Sequence, residues 1–182
     1  MLNRVKVYYA DVSGLGDKSI VHQVGRYILH KIAPDGKLLK GKDGKPYFEN
    51  LPVHFNISHS YPYVVCAICD CAVGIDIEKV RDVSPMAAKR IFTGRELELM
   101  ASGFDFLTLW TAKESVVKAA GESLFREGRN FDVSDLTSCS FGGKSYYIKK
   151  VDIPGCVCHI ATEQQTVDFE IINIDIKSEH LV

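Results

Sequence analysis

Short apolar runs that alternate with helical segments constrain the fold of this chain more than any other feature of its sequence. Apolar residues recur at helical spacing in residues 19–32 and 107–120, and Gly121 follows the second segment as glycine commonly follows a helix. The other apolar runs are too short for helices and predict strands at 6–9, 53–57, 64–69, 73–77, 145–151, 156–162 and 169–174. Because strands and helices are interspersed in both halves, the sequence predicts an α+β fold.

Three local patterns mark turns and helix starts. Asp43-Gly44 suits a tight hairpin turn. Ser84-Pro85 places a capping residue directly before a proline, and Thr93 with Glu96 has the form of a capping box. We therefore expect a hairpin around Asp43 and helices that start near Ser84 and Thr93.

Charge and hydropathy argue against several classes of protein. The net charge is -1, whereas a nucleic-acid-binding protein is usually markedly basic. Polar residues interrupt every apolar run well short of the ~20 residues that a membrane-spanning helix needs. Residues 1–10 contain no sustained apolar segment of the kind found in secretory signals. We therefore expect a cytoplasmic protein that binds neither nucleic acid nor membrane.

The six cysteines fit a reducing compartment. Cys66-x-x-Cys69 has the spacing of zinc ligands, but residues three apart on a strand point to opposite faces of the sheet. We expect reduced thiols that pack in the core as small hydrophobes.

The sharpest chemical feature is the acidic strand Gly74-Ile75-Asp76-Ile77-Glu78. Asp76 and Glu78 point to one face of a strand, and adjacent carboxylates repel unless a cation lies between them or one keeps its proton. Magnesium commonly takes one or two carboxylates together with phosphate oxygens of a substrate. The strand therefore indicates a magnesium site, and a solvated acidic edge is the alternative.

A second feature lies on the helical segment, where Glu114 and Lys118 share one face and Trp110 precedes them by one turn. Glu114 would serve as a third metal ligand or as a base, and Lys118 would neutralise phosphate charge. The alternative is an ordinary ion pair on a helix surface.

A third feature is Ser58-His59-Ser60, the polar end of a predicted strand, which offers hydroxyls and an imidazole to a phosphate. Adjacent serine and histidine residues do not easily form a nucleophile–base pair, and the chain has no Gly-x-Ser-x-Gly elbow. These observations argue against a hydrolase.

In this order along the chain, the segments resemble those of the 4'-phosphopantetheinyl transferase superfamily. The matching pieces are Gly44–Tyr47, Phe55–Ser60, Gly74–Glu78, Phe92-Thr93 with Glu96-Leu97, and Trp110 with Lys113-Glu114 and Lys118. The Asn-Ile-Ser-His-Ser segment and the acidic strand occur in one chain, so the resemblance is to the larger Sfp type. It covers residues 44–124.

The resemblance implies a pseudo-twofold fusion of two similar half-domains, each a small antiparallel sheet packed with helices. Residues 1–72 would form the N-terminal half, and residues 73–182 the half that carries the metal ligands. It further implies a monomeric enzyme that transfers 4'-phosphopantetheine from coenzyme A to a serine of an apo acyl or peptidyl carrier protein and releases 3',5'-ADP. A non-catalytic coenzyme A or nucleotide binding module, or an inactive relative, would keep the same fold.

Carried over by position, the resemblance implies that Mg²⁺, with Mn²⁺ as a substitute, is bound by Asp76, Glu78 and Glu114. Contacts with coenzyme A would come from Lys45, Ser58, His59 and Lys118. Catalytic roles would fall to Glu114, Lys118 and His59, and the base would be Glu114 or a metal-bound water.

Other roles stay open. Glu96 matches a glutamate of the family or is only a helix cap. Lys18, His22 and Arg26 are candidates for binding the 3'-phosphate of the coenzyme. An acidic carrier protein would dock on the cationic and apolar segment 86–104.

Overall fold

Two four-stranded sheets and one hairpin form the β-structure in the computed structural model, which describes residues 4–41, 44–82, 88–165 and 168–181. In spatial order, the first sheet contains β10 (Asp168–Asn173), β1 (Arg4–Asp11), β5 (Tyr63–Cys69) and β4 (His54–Ser60). The second contains β6 (Val73–Lys79), β9 (Cys156–Thr162), β8 (Lys144–Lys150) and β7 (Ser138–Phe141). The hairpin pairs β2 (Leu38–Lys40) with β3 (Pro46–Phe48).

The described residues form helices in both halves of the sequence. They are α1 (Val21–Ile32), α2 (Ala88–Ile91), α3 (Gly94–Ala101), α4 (Phe106–Ala120) and α5 (Leu124–Glu127), with 3-10 turns at Lys18–Ile20, Gly128–Asn130 and Ser178–Leu181. The mixture of strands and helices confirms the predicted α+β class.

Local signals in the sequence set several of these boundaries. Thr93 and Glu96 form the predicted capping box at the start of α3, and Gly121 ends α4 with a φ of 79°. The predicted hairpin is present as β2 and β3, although Asp43 lies outside the described residues. The helix start predicted at Ser84-Pro85 also lies outside them.

The helix α4 packs directly on β6 and β9 because β6 carries a glycine at the crossing point. A Cβ atom on Gly74 would lie 2.1 Å from the Ser115 carbonyl oxygen and 2.3 Å from the Ala119 nitrogen. Both distances are far below van der Waals contact, so any larger residue would push α4 away from β6. This close approach brings the side chains of α4 against those of the acidic strand.

The C-terminal strand returns to the first sheet. β10 pairs in parallel with β1, with Arg4 opposite Asp168, so this sheet is mixed and not purely antiparallel as expected. Ile174 and Ile176 follow β10 and pack in the same apolar cluster as α1. The expected division at residues 72 and 73 stays a prediction, and residues 168–176 pack with the first half.

Alternate side chains of β4 join the first sheet to β6. The Ile75 amide donates to Asn56 Oδ1 at 2.9 Å, and the Lys79 amide donates to Ser60 Oγ at 2.9 Å. Ser58 Oγ lies between them and donates to Asp76 Oδ1 at 2.9 Å. Because residues two apart point to one face of a strand, the polar motif connects the two halves along its whole length.

All six cysteines are free thiols, and five of them are buried. Cys66 packs in the apolar cluster beside α1, whereas Cys69 packs in the cluster between the two sheets. The Cys66–Cys69 pair therefore points to opposite faces, as its spacing predicts. No helix in the described part of the chain is both long and apolar enough to span a membrane.

Candidate active site

A lysine from α4, an aspartate from β6 and a serine from β4 meet where the two halves join. Lys118 Nζ lies 2.6 Å from Asp76 Oδ1 and donates to Ser58 Oγ at 3.2 Å. Asp76 and Ser58 are buried, and a quarter of the Lys118 side chain is exposed. The structure therefore brings three of the predicted site residues into direct contact.

Two carboxylate oxygens at this junction, Asp76 Oδ2 and Glu114 Oε2, are buried and have no hydrogen-bond partner among the described residues. Burial raises the pKa of Asp76, although Lys118 and Ser58 oppose the shift. Burial also raises the pKa of Glu114; Lys118 opposes this shift, and the nearby carboxylates of Asp76 and Glu78 add to it. A buried acceptor without a partner costs about 1–3 kcal/mol. These oxygens are the donors that a hard divalent cation prefers, so the site fits Mg²⁺.

Glu78, the third predicted ligand, is turned toward other partners. Its Oε2 accepts from Arg81 at 3.3 Å and from Ser60 Oγ at 3.4 Å. Among the described residues, the carboxylates of Asp76, Glu78 and Glu114 are not gathered within 4.8 Å of one another. A shared ion would require these three carboxylates to move closer together.

A basic concavity lies beside the Asp76–Lys118 pair. His59 stacks edge-on against His22 of α1, with ring centroids 4.9 Å apart. Burial lowers the pKa of His59, and the charges of His22 and Lys118 lower it further. The concavity of about 330 Å³ is lined in part by Lys18, His22, His59, Lys79 and Arg81. Cationic side chains and imidazole rings are therefore grouped in this concavity.

The concavity includes two cations that the sequence reasoning missed, Lys79 and Arg81, and it includes two of the three 3'-phosphate candidates, Lys18 and His22. Arg26 is exposed on α1 and is not among its lining residues. The position of Lys79 and Arg81 directly after the acidic strand is the sequence signal that could have identified them.

Lys45 contacts the carboxyl end of α4. Its ammonium donates to the Lys118 carbonyl and lies 3.5 Å from the carbonyl oxygens of Val73 and Ala119. Burial lowers the pKa of Lys45. A cation at this end of a helix is favoured by the unpaired carbonyls of the last turn. Lys45 thus secures the helix that carries Lys118, and its predicted contact with the coenzyme stays a prediction.

Glu96 is both a helix cap and part of a buried ion pair. Its carboxylate accepts from the Thr93 amide and the Val133 amide, each at 2.8 Å. Lys113 Nζ lies 3.0 Å from Glu96 Oε1 and donates to the Gly128 carbonyl at 2.6 Å. Both side chains are fully buried. Glu96 therefore anchors α3 to α4, on a face of α4 other than the one that carries Lys118.

His159 is a further polar residue that sequence reasoning did not single out. It lies opposite Asp76 in the register of β6 and β9 and is 2% exposed. Its Nδ1 is 2.7 Å from Thr111 Oγ1 of α4. Burial, with a smaller contribution from the charge of Lys150, lowers the pKa of His159 to about 4. His159 is therefore neutral at pH 7 and fixes α4 on the face of β9 that adjoins the site.

Comparison with known proteins identifies the family of this chain. The sequence model of the "4'-phosphopantetheinyl transferase superfamily" matches residues 72–172, more than half of the chain. The protein "4'-phosphopantetheinyl transferase Sfp" of Bacillus subtilis (strain 168) is 44% identical over 118 residues, which cover 60% of this chain and 52% of the relative. For "4'-phosphopantetheinyl transferase gsp" of Aneurinibacillus migulanus, the identity is 40% over 111 residues, covering 56% and 46%.

A more distant relative has a comparable overlap. The protein "4'-phosphopantetheinyl transferase AcpT" of Escherichia coli (strain K12) is 34% identical over 113 residues, covering 56% of this chain and 58% of the relative. The matches with this chain thus span about half the length of these curated relatives.

Proposed function

This chain belongs to the 4'-phosphopantetheinyl transferase superfamily, and from that premise we propose that it transfers 4'-phosphopantetheine from coenzyme A to a serine of an acyl or peptidyl carrier protein. One observation carries the proposal: Asp76 and Glu114, which act electrostatically on one another and on Lys118, each have a buried carboxylate oxygen with no partner among the described residues, and His59 of the basic concavity is close enough for its pKa to be lowered by Lys118. Such a set of groups suits a substrate with a pyrophosphate.

In this proposal, Asp76 Oδ2 and Glu114 Oε2 would hold Mg²⁺, and Glu78, which pairs with Arg81 in the structure, would be the third ligand. A bound magnesium ion supplies neutralisation of the charge on the pyrophosphate oxygens. The serine oxygen forms a bond to the β-phosphorus, and the bond from that phosphorus to the oxygen of 3',5'-ADP breaks. The reaction needs mainly positioning and charge neutralisation from the protein.

The chain's own residues would share these tasks. Lys118 is held beside Asp76 with a quarter of its side chain exposed, so its ammonium can neutralise phosphoryl oxygens as charge builds on them. Glu114 is the proposed acceptor of the serine proton, since its carboxylate lies near both Asp76 and Lys118 at the junction.

The basic concavity would bind the remaining phosphate of the coenzyme. Lys18, Lys79 and Arg81 supply cations, and His22 and His59 supply ring nitrogens. Arg81 has two partners in this scheme, because it pairs with Glu78 at 3.3 Å before the coenzyme binds. Binding of a phosphate to Arg81 would free Glu78 for the metal, which couples the two events.

The monomeric state belongs to the proposal because β4 and β6 of one chain supply both sides of the junction. The cytoplasmic location expected from the composition stays a prediction.

Mass spectrometry of a purified apo carrier protein tests this function. The carrier is incubated with coenzyme A, Mg²⁺ and the reduced protein, and we expect a gain of one phosphopantetheine group together with release of 3',5'-ADP. EDTA should abolish the gain, and added Mg²⁺ should restore it. Binding of coenzyme A without any change in carrier mass, for both an acyl and a peptidyl carrier, would favour the non-catalytic binding module.

A further inference from the structure

The connection between the two sheets carries three side chains of types that can bind a metal ion, and the proposed transfer does not use them. β5 ends at Cys69 and β6 begins at Val73, so Cys69, Asp70 and Cys71 lie at the crossing from one half to the other. Cys69 Sγ is 3.2 Å from Cys71 Sγ, and the Cys69 thiol donates to Asp70 Oδ1 at 3.5 Å. One ligand atom from each residue lies within 4.8 Å of the other two.

The distances between these atoms are close to those of a tetrahedral zinc site. Zinc bonds to thiolate at ~2.3 Å and to carboxylate at ~2.0–2.2 Å, so two sulfurs stand about 3.8 Å apart and a sulfur and an oxygen about 3.5 Å apart. The observed sulfur–oxygen distance of 3.5 Å already agrees. The two sulfurs, now 3.2 Å apart, need to separate by about 0.6 Å, which small side-chain rotations supply.

We propose that Cys69, Asp70 and Cys71 form a binding site for a zinc-class divalent cation, with the fourth position open to water. Binding replaces the two thiol protons, which pass to the buffer, so the ion is held by two thiolates and one carboxylate. Thiolates select zinc-class ions over magnesium, which takes oxygen ligands. The site is therefore chemically distinct from the carboxylates of the active site.

The surroundings leave the ligands available. Among the described residues, Asp70 takes part in no ion pair. Cys69 and Asp70 line a cavity of about 390 Å³ that offers a path from solvent. Arg4 and Lys6 line the same cavity, but their cations pair with Asp168 and Glu170 across β1 and β10.

The position of the site gives the ion a structural consequence. The Glu163 amide at the end of β9 donates to the Ala72 carbonyl at 3.2 Å, so the segment that follows Cys71 is already paired with the second sheet. An ion at residues 69–71 would stiffen the direct connection between β5 and β6. Since β4 and β6 form the active-site junction, the ion would stabilise the relative position of the two halves.

Titration of the reduced protein with Co²⁺ and Zn²⁺ under anaerobic conditions tests the proposal. We expect one equivalent of Co²⁺ to give a thiolate charge-transfer band in the near ultraviolet, and Zn²⁺ to displace it. The band should persist in excess Mg²⁺ and in Asp76→Ala. Zn²⁺ should also raise the Tm of the wild-type protein.

Two variants and a matched control test the ligands. Cys71→Ala should remove the charge-transfer band, and Asp70→Asn should weaken binding at least ~10-fold, since even residues outside the ligand set change affinity by 10–100-fold. Asp70→Asn replaces a half-buried side chain and keeps the proposal testable if Cys71→Ala does not fold. Cys156→Ser, which changes a half-buried thiol elsewhere, should leave binding unchanged.

The outcomes that overturn the site are equally specific. Absence of saturable Co²⁺ binding would refute it, as would a band that survives Cys71→Ala and Asp70→Asn. A protein that binds no metal and loses two hydrogens on exposure to an oxidant would assign the thiol pair to disulfide chemistry instead. None of these readouts depends on transferase activity, so failure of the proposed function would leave the test intact.

Discussion

Two buried carboxylate–lysine pairs lie on different faces of α4, and they differ in how completely their polar atoms are satisfied. Glu96 and Lys113 are fully buried, and both carboxylate oxygens of Glu96 have partners. Asp76 is buried and a quarter of the Lys118 side chain is exposed, but Asp76 Oδ2 has no partner among the described residues. Lys113 and Lys118 are five residues apart, which places them about 140° apart around the helix. One helix therefore carries a complete pair on one side and an incomplete pair on another.

The contrast separates a structural role from a chemical one. A buried ion pair is tolerated when further hydrogen bonds satisfy its remaining atoms, and the Glu96–Lys113 pair meets that condition. The Asp76–Lys118 pair does not meet it, because Asp76 Oδ2 and the neighbouring Glu114 Oε2 are left over. Buried carboxylate oxygens without hydrogen-bond partners need an explanation, and a bound cation together with the substrate would satisfy them.

The largest effect should come from removing the unpartnered carboxylates. We expect Asp76→Ala and Glu114→Ala to fold and to lose at least ~1000-fold in transfer rate, about 4 kcal/mol of barrier. Steady-state turnover at saturating Mg²⁺ measures the loss. Glu122→Ala, which removes an exposed carboxylate near the end of the same helix, is the control and should be nearly unchanged. Wild-type turnover in either test variant would contradict the assignment of chemistry to this side of α4.

The complete pair should matter for folding. Lys113→Met leaves the Glu96 carboxylate buried and unpaired, so we expect the free energy of unfolding to fall by about 3–5 kcal/mol. Urea denaturation measures this change. The double variant with Glu96→Gln should lose less than the sum of the two single variants, because the two side chains interact directly.

An exposed ion pair supplies the control for this measurement. Arg126 pairs with Glu122 on the surface, and Arg126→Met should cost less than ~1 kcal/mol. A loss of similar size for Lys113→Met and Arg126→Met would remove the distinction between the buried pair and a surface pair.

The dependence of stability on pH tests another buried polar residue that contacts α4, His159. The pKa of His159 falls from 6.5 to about 4 on folding, so the folded protein disfavours its protonation. The associated stability is fully present above pH 6.5 and is lost as the pH falls toward 4. The shift amounts to about 3 kcal/mol at most. We expect His159→Gln to lose less stability than the wild type between pH 7 and pH 4.5.

Denaturation curves at both pH values measure that difference. The exposed His30→Gln variant should retain the full wild-type loss, and equal losses in all three proteins would contradict a buried neutral His159.

The smallest effect concerns the exposed surface of α2, which lies near the Glu96–Lys113 pair. α2 packs against the 3-10 turn that contains Gly128, a partner of Lys113, and it exposes Lys89 and Arg90. If a carrier protein docks there, reversing both charges to glutamate should raise the KM for the carrier several-fold and leave that for coenzyme A unchanged. The defect should grow as salt is lowered, because exposed charges are screened over ~10 Å near 0.1 M salt. Equal changes in both KM values, or the absence of a salt dependence, would count against this surface as the docking site.

Much of α4 and its surroundings could be predicted from local patterns. The helix was expected at 107–120 and lies at Phe106–Ala120, and β9 lies at the predicted residues 156–162. The capping box at Thr93 and the Gly121 terminus depend on neighbours within four residues, which the sequence displays directly. β7 at Ser138–Phe141 was missed, because polar residues alternate with few apolar ones in a strand at the sheet edge.

The partners of the site residues were less predictable than their identities. Ser58 donates to Asp76 in the folded chain, and Lys45 contacts the carbonyls at the end of α4. The sequence predicted neither contact, and the expected contacts of both residues with coenzyme A stay predictions. Both observed contacts join residues far apart in sequence, and no local pattern encodes them.

The sequence by itself determined the order of strands and helices, the family, and the chemical types gathered at the site. Spacing, caps and turn residues act between neighbours, so they can be read from a short stretch of chain. Only the tertiary structure decided that β10 would return to β1 in parallel, that Lys113 and Lys118 would face different surroundings, and that Asp76 Oδ2 would stay without a partner. These outcomes depend on packing between segments that are distant in the chain, of which the close approach of α4 to β6 at Gly74 is one example.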